Sequence, residues 1–236
     1  LWSFIFLFLI LIINANITEF FLIFKSSKKL LFLSITASLI ASNWGGFIFA
    51  VSTERVQDAS MGYFITPMIS IFLGYFFLKE KITRLKLYSV ILMIFAIILL
   101  FINMRGLPYL VILIGTTWAV YGLLRKQINV SPSIGLLYES FLITLISFPY
   151  LIYLFKTNES SFLEINNKTT IFLMLTGIVT IFPLFFFNLG LKFIQLGLAG
   201  VLFYLAPSFH FVTSLFILGE IKKGCAHRLR VGVFVS

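Results

Sequence analysis

Eight apolar runs of 16 to 23 residues follow one another along this chain with only short polar breaks: 1–16, 30–50, 59–78, 87–103, 107–124, 133–155, 171–191 and 196–218. A helix of about 20 apolar residues is long enough to cross the hydrocarbon core of a bilayer. Of the 236 residues 60% are hydrophobic, 30 are Phe, and only 11% are charged, against roughly 25% charged in soluble domains. A water-soluble protein of this size could not hide that much apolar surface. The solvent is lipid, and the expected fold class is all-α: a polytopic membrane protein of about eight helices. The stretch NITEFFLIF at 16–24 carries Glu19 and reads as an interfacial continuation of the first run.

The net charge of +10 does not point to nucleic acid, because the basic residues form no continuous face or stripe. They fall in clusters between the apolar runs: Lys25, Lys28 and Lys29; Lys79, Lys81, Arg84 and Lys86; Arg125 and Lys126. Membrane loops have this pattern. Alternate loops, with the Lys192 turn, put 10 basic residues on one side and 4 on the other, so the richer side is expected to be cytoplasmic. The first run lacks the basic leader and small-residue cleavage site of a signal peptide. One cysteine, Cys225, excludes an internal disulfide and offers no metal set. No HExxH motif, Ser-His-Asp candidate set or Walker lysine occurs. No enzyme activity, cofactor or metal is expected. The expected partners are the lipid bilayer and a small-molecule substrate, with self-association as a further possibility.

The chain also matches itself. Shifted by 140 residues, ASMGYFITPMISIFLGYFFLKE at 59–80 lies over AGVLFYLAPSFHFVTSLFILGE at 199–220 without a gap. Pro67 meets Pro207, Glu80 meets Glu220, and Phe64 meets Tyr204. A proline and a glutamate are rare here, and both recur at the same separation. Five helix steps separate the two prolines, an odd number, so the paired helices are expected to run in opposite directions. That is an inverted-topology repeat, common among secondary transporters. The arithmetic gives a five-helix unit and expected boundaries at 1–103 and 107–220. The first helix of one unit and the last of the other are expected to be missing.

SNWGGFIFAV at 42–51, ASMGYFITPMISIFLG at 59–74 and TWAVYGLLRKQI at 117–128 resemble the RarD-type permeases of the drug/metabolite transporter superfamily. LLYES at 136–140 and the run from TIFPLFFFNLG to FYLAP at 180–207 fit the same pattern. The resemblance implies a ten-helix fold of two EamA-type units in a bacterial inner (plasma) membrane. It also implies permeation of small organic solutes or drugs, with efflux by alternating access. After Glu220 the resemblance stops, and IKKGCAHRLRVGVFVS at 221–236 reads as an aberrant tail. The alternative to a working permease is a truncated, non-functional remnant of one.

Several polar or aromatic residues inside the runs are candidates for a substrate path or coupling site. Glu139, a position the resemblance marks, lies inside the run 133–155; a carboxylate in the membrane costs about 2.5–3.5 kcal/mol on insertion scales and needs a partner, water or a proton. It reads as a proton-coupling or substrate-contacting acid, or as an acid bonded to Tyr138 or Ser140. Asn43 and Trp44 precede Gly45 and Gly46, a setting for helix packing or for a path lining. Trp118 and Tyr121 could stack on an aromatic or cationic substrate or anchor the interface. Pro67 and Pro207 read as paired kinks shaping a central cavity, with Tyr63 and Tyr204 beside them. His210 is a lone candidate proton relay. Asn188 is a weaker lead without a polar repeat mate. Glu80 closes its helix and is expected to pair with Lys81 or Arg84.

Overall fold

The computed structural model describes residues 1–13, 17–53, 56–102, 109–157 and 167–205. Among them the elements are helical: α1 (Trp2–Ile13), α2 (Ile17–Ile23), α3 (Ser27–Ser52), α4 (Val56–Leu78), α5 (Arg84–Ile102), α6 (Tyr109–Gln127), α7 (Pro132–Lys156), α8 (Asn167–Gly190) and α9 (Leu196–Leu202). The eight apolar runs account for all of these but α2, the short helix that carries Glu19. Ser26 accepts a hydrogen bond from Lys29 N–H at the start of α3, and Pro132 opens α7, where a missing N–H costs nothing. Pro207, His210, Glu220 and the tail 221–236 lie outside the described residues.

Many large apolar side chains are exposed on the outer face, while several polar ones are buried beside the apolar core. Leu92, Phe95 and Ile102 on α5, and Phe172, Val179 and Phe182 on α8, are exposed. Thr36, Asn43, Thr66, Ser70, Thr117, Arg125, Glu139 and Asn188 are buried. This is the distribution of a bundle solvated by hydrocarbon. Among the described residues, four helical stretches are long and apolar enough to cross a membrane: Ser27–Ser52, Met61–Leu78, Pro132–Lys156 and Thr170–Gly190. Helix α6 has the length, but Gly115, Thr116, Thr117, Arg125 and Lys126 lower its apolarity. It stands inside the bundle, against α3, α4, α8 and α9, so its polar groups meet protein.

Small residues bring the backbones together. A Cβ on Gly115 would fall 2.9 Å from Gly62 O, and one on Gly62 would fall 2.9 Å from Ile114 Cβ. Helices α4 and α6 thus touch main chain to main chain, the contact that small residues permit in membranes.

The 140-residue period recurs in the helices. α3 begins at Ser27 and α8 at Asn167; α4 begins at Val56 and α9 at Leu196. Helices α4 and α9 cross antiparallel. Going up α9, Gly197 sits against Ile71, Gly200 against Ser70 and Pro67, and Tyr204 against Phe64. Helix α4 runs unbroken through Pro67. Pro67 is buried, and its Cα would lie 3.1 Å from a Cβ on Gly200, so its immediate role is a close helix crossing.

Candidate functional site

Four helices deliver one buried polar cluster. Glu139 lies seven residues past the start of α7, about 10 Å along its axis at 1.5 Å per residue. Its Oε1 accepts a hydrogen bond from Thr36 Oγ1 of α3 at 2.7 Å. Its Oε2 accepts one from the Tyr121 hydroxyl of α6 at 3.2 Å. Arg125, one turn further along α6, places Nε 3.7 Å from Glu139 Oε1, and both side chains are only 2% exposed. The same Nε donates to Asn188 Oδ1 of α8 at 2.8 Å. Asn188 Nδ2 donates in turn to the Tyr121 hydroxyl at 2.9 Å and to Leu184 O at 2.8 Å. Glu139, Tyr121, Asn188 and Arg125 therefore close a ring, with Thr36 attached from outside.

Room for the guanidinium comes from Gly135. A Cβ there would fall inside the Arg125 head group, whose Nη2 donates to Pro132 O at 3.3 Å. Arg125 Nη1 is buried without a hydrogen-bond acceptor. A buried carboxylate and guanidinium each carry a large desolvation cost, and removing one strands the other.

Glu139 also lines a cavity of about 50 Å³, together with Leu1, Ser3, Ile40, Trp44, Leu136, Ser140, Ile143 and Leu184, and Arg125 is not in that lining. Glu139 is the one charged side chain in that lining. Two pairs in that lining are 140 residues apart, Ser3 with Ile143 and Trp44 with Leu184, so the cavity lies where the two copies of the repeat face one another.

Of the residues singled out from sequence, Glu139, Tyr121 and the weaker lead Asn188 belong to the ring and Trp44 to the cavity wall. Trp118 stacks beside Tyr121 at 5.6 Å between ring centroids and also meets Phe187 and Phe203, each at 5.3 Å. It lines a second, smaller void with Thr66, Ser70 and Gly200. Asn43 is buried against α6, donating to Ile114 O at 2.8 Å and Thr117 Oγ1 at 3.0 Å, away from the cavity. Tyr63 packs against Phe47. Tyr204 donates to Phe64 O at 2.9 Å. Neither Tyr63, Tyr204 nor Pro67 reaches the Glu139 cavity.

Three expectations change. Arg125 is not a loop cation: it sits within α6 and faces Glu139, so the loop tally loses one residue while keeping its direction. The signal was available in its spacing, since Trp118, Tyr121 and Arg125 recur at helical intervals on one face. Glu139 bonds to Thr36 and Tyr121, and Tyr138 instead shares a hydrogen bond with Ser34 at 3.2 Å. Glu80 pairs with neither Lys81 nor Arg84. Lys79 adopts a left-handed φ of 55°, turning the chain so that the Glu80 carboxylate accepts from Leu196 N–H at 2.6 Å and Gly197 N–H at 3.2 Å. Those are orphan donors at the start of α9. Lys126 Nζ stands 3.8 Å from Glu80 Oε1 and donates to Leu191 O and Ile194 O, while Lys86 donates to Gln195.

The EamA-like transporter family matches this chain twice, over residues 1–102 and 107–222. The Bacillus subtilis (strain 168) protein described as uncharacterized transporter YojE is 33% identical over 223 residues, 93% of this chain and 74% of that protein. Protein RarD of Salmonella typhi is 30% identical over 224 residues, covering 94% of this chain and 75% of its own. Protein RarD of Escherichia coli (strain K12) is 30% identical over 220 residues, covering 93% and 74%. No solved structure matches the chain. Twofold family match, helical membrane architecture and these relatives together place the chain in the EamA-like transporter family, as a RarD-type multi-pass membrane transporter.

Proposed function

We propose that the protein is a secondary-active permease of the bacterial inner membrane that moves small organic solutes outward by alternating access. Residues 1–103 and 107–220 act as two inverted halves that rock about the cavity between them. The observation that carries this reading is the cavity itself, which has Glu139 as its charged wall and the repeat-related pairs Ser3/Ile143 and Trp44/Leu184 in its lining. Inverted-repeat transporters place substrate and coupling ions at such a junction near the bilayer midplane. Glu139 can accept a proton or a substrate group from the cavity while Thr36 and Tyr121 hold the carboxylate in place. The bacterial origin of the similar proteins supports the inner membrane. The reaction is vectorial movement without covalent change to the solute.

The test is flux. Purified protein is reconstituted into vesicles, and solute movement is followed with and without an imposed proton gradient, for the parent chain and for Glu139→Gln. Gradient-dependent movement above empty vesicles, lost in Glu139→Gln, is the expected result. Movement equal to that of empty vesicles would end this reading for the chain and leave a transport-incompetent member of the family.

A further inference from the structure

We infer that Arg125 is a tethered counter-ion which fills in for a cationic ligand at Glu139, so that the site takes a protonated amine with an apolar body. The inference rests on the reading of the cavity as the transport site and adds a substrate class to it.

Three features of the cluster carry it. The first is the looseness of the ion pair. A structural Arg–carboxylate pair is commonly bidentate, with N–O distances of about 2.7–2.9 Å. Here Arg125 Nε is 3.7 Å from Glu139 Oε1 and gives its hydrogen bond to Asn188 Oδ1 at 2.8 Å instead. Its Nη2 is held by Pro132 O, and the head group lies in the space over Gly135. The guanidinium thus has a seat of its own and keeps it when Glu139 turns to another cation.

The second is what Glu139 itself receives. Its hydrogen-bond donors are two neutral hydroxyls, Thr36 and Tyr121. The carboxylate is neutralised through space but receives no hydrogen bond from a cationic donor, so a direct ammonium–carboxylate bond is still available to an incoming amine. The charged or titratable groups facing it are Arg125 and Tyr121 of α6; α3 brings Thr36, and α8 brings Asn188 to the same ring.

The third is what a ligand in the cavity meets. Arg125 is not part of the lining. A ligand finds one carboxylate, the hydroxyl-bearing Ser3 and Ser140, the indole of Trp44, and the aliphatic walls of Ile40, Leu136, Ile143 and Leu184. An anion would be repelled by Glu139, and no lysine, arginine or histidine side chain lines the wall to offset it. An ammonium gains the carboxylate, and an indole face attracts a cation by about 0.5–2 kcal/mol. At about 50 Å³ the cavity in this conformation accommodates an ammonium head, and the apolar body follows against Trp44 and Ile40 as the site opens.

The experiment measures binding directly, by equilibrium dialysis of the full chain in lipid nanodiscs. The probe is 2-phenylethylammonium, with 3-phenylpropionate as its anionic counterpart and 2-phenylethanol as the neutral one. Saturable binding of the ammonium alone is expected, weakened at least tenfold in Glu139→Gln. Two variants at position 125 give opposite signs. Arg125→Gln removes the tethered competitor and binds the probe as tightly as the parent or tighter. Arg125→Lys puts a flexible ammonium directly onto Glu139, without the fork that Asn188 and Pro132 hold, and binds it more weakly. A merely structural ion pair would rank them the other way, the conservative lysine being the milder change. Preference for the anion, ammonium binding unchanged in Glu139→Gln, or Arg125→Lys binding better than Arg125→Gln would each overturn the inference. Flux of another solute without Glu139-dependent amine binding would sink this inference alone. Amine binding with no flux of any solute would sink the permease reading alone.

Discussion

The Tyr204 hydroxyl donates to Phe64 O at 2.9 Å, and the two rings lie 5.8 Å apart. The two residues are 140 positions apart, one repeat period. Residues related by a twofold operation touch each other only near its axis, so Phe64 and Tyr204 mark where the antiparallel α4 and α9 cross. Replacing Tyr204 with Phe removes one hydrogen bond and keeps the ring; a loss of about 0.5–1.5 kcal/mol is expected, read from thermal unfolding in detergent. Gly200→Leu goes further, because a Cβ at that position already falls 2.8 Å from Ser70 Cβ, and is expected to prevent the crossing.

Gly135 makes the seat of Arg125. Gly135→Ala drives a methyl group into the guanidinium, and overpacking of this kind costs about 1–3 kcal/mol. The cost is expected to shrink when Arg125→Ala is added, since the clash has gone. A double-mutant cycle on unfolding midpoints measures the coupling, and additive effects would refute it.

Glu80 joins the end of α4 to the start of α9. Glu80→Ala leaves the Leu196 and Gly197 amides without their acceptor, a loss of about 0.5–2 kcal/mol by analogy with helix caps. Hydrogen exchange at these two amides should accelerate in the variant, with little change in the middle of α6. Glu80→Gln keeps an acceptor and is expected to fall between parent and Ala.

The contact between α4 and α6 depends on backbone proximity at Gly62 and Gly115. Gly115→Val adds bulk where a Cβ would already meet Gly62 O at 2.9 Å, so the helices must separate. Loss of monodisperse folded protein on size exclusion is the expected outcome. Ala at the same place is expected to be tolerated at a cost of about 1–3 kcal/mol.

Orientation is testable by reporter fusions at residues 83 and 160. The basic clusters predict the first in the cytoplasm and the second outside. Both reporters on one side would reject the alternating topology.

The helices were legible because the lengths of apolar runs map directly onto helices in lipid. The ends of α3, α4, α7 and α8 fall within four residues of those runs. Glu139 was legible for the same reason, as a carboxylate with no local account of its burial. Its partners were not. Thr36 is 103 residues away in sequence and carries no mark of its partner, and Asn188 joins the ring through Tyr121 and Arg125 rather than through Glu139. Arg125 was misread because it adjoins Lys126 near a helix end, where basic residues usually meet water. Glu80 was expected to pair with its sequence neighbours Lys81 or Arg84. The left-handed turn at Lys79 sends it to the start of another helix, 116 residues on, and no pattern in its neighbourhood announces that.

The crossing at Phe64 and Tyr204 has a mechanical consequence. In the proposed rocking of the two halves it would be the fulcrum: points on the axis barely move when two halves tilt, and displacement grows with distance from it. Leu78 is 14 residues along α4 from Phe64, about 21 Å at 1.5 Å per residue. A tilt of about 10° would carry that end about 4 Å by the same geometry, enough to pull Glu80 from Leu196 and Gly197 while Tyr204 stays on Phe64. Under the proposed alternating access, the Glu80 contacts would break and re-form in each cycle, and the tyrosine bond would not need to.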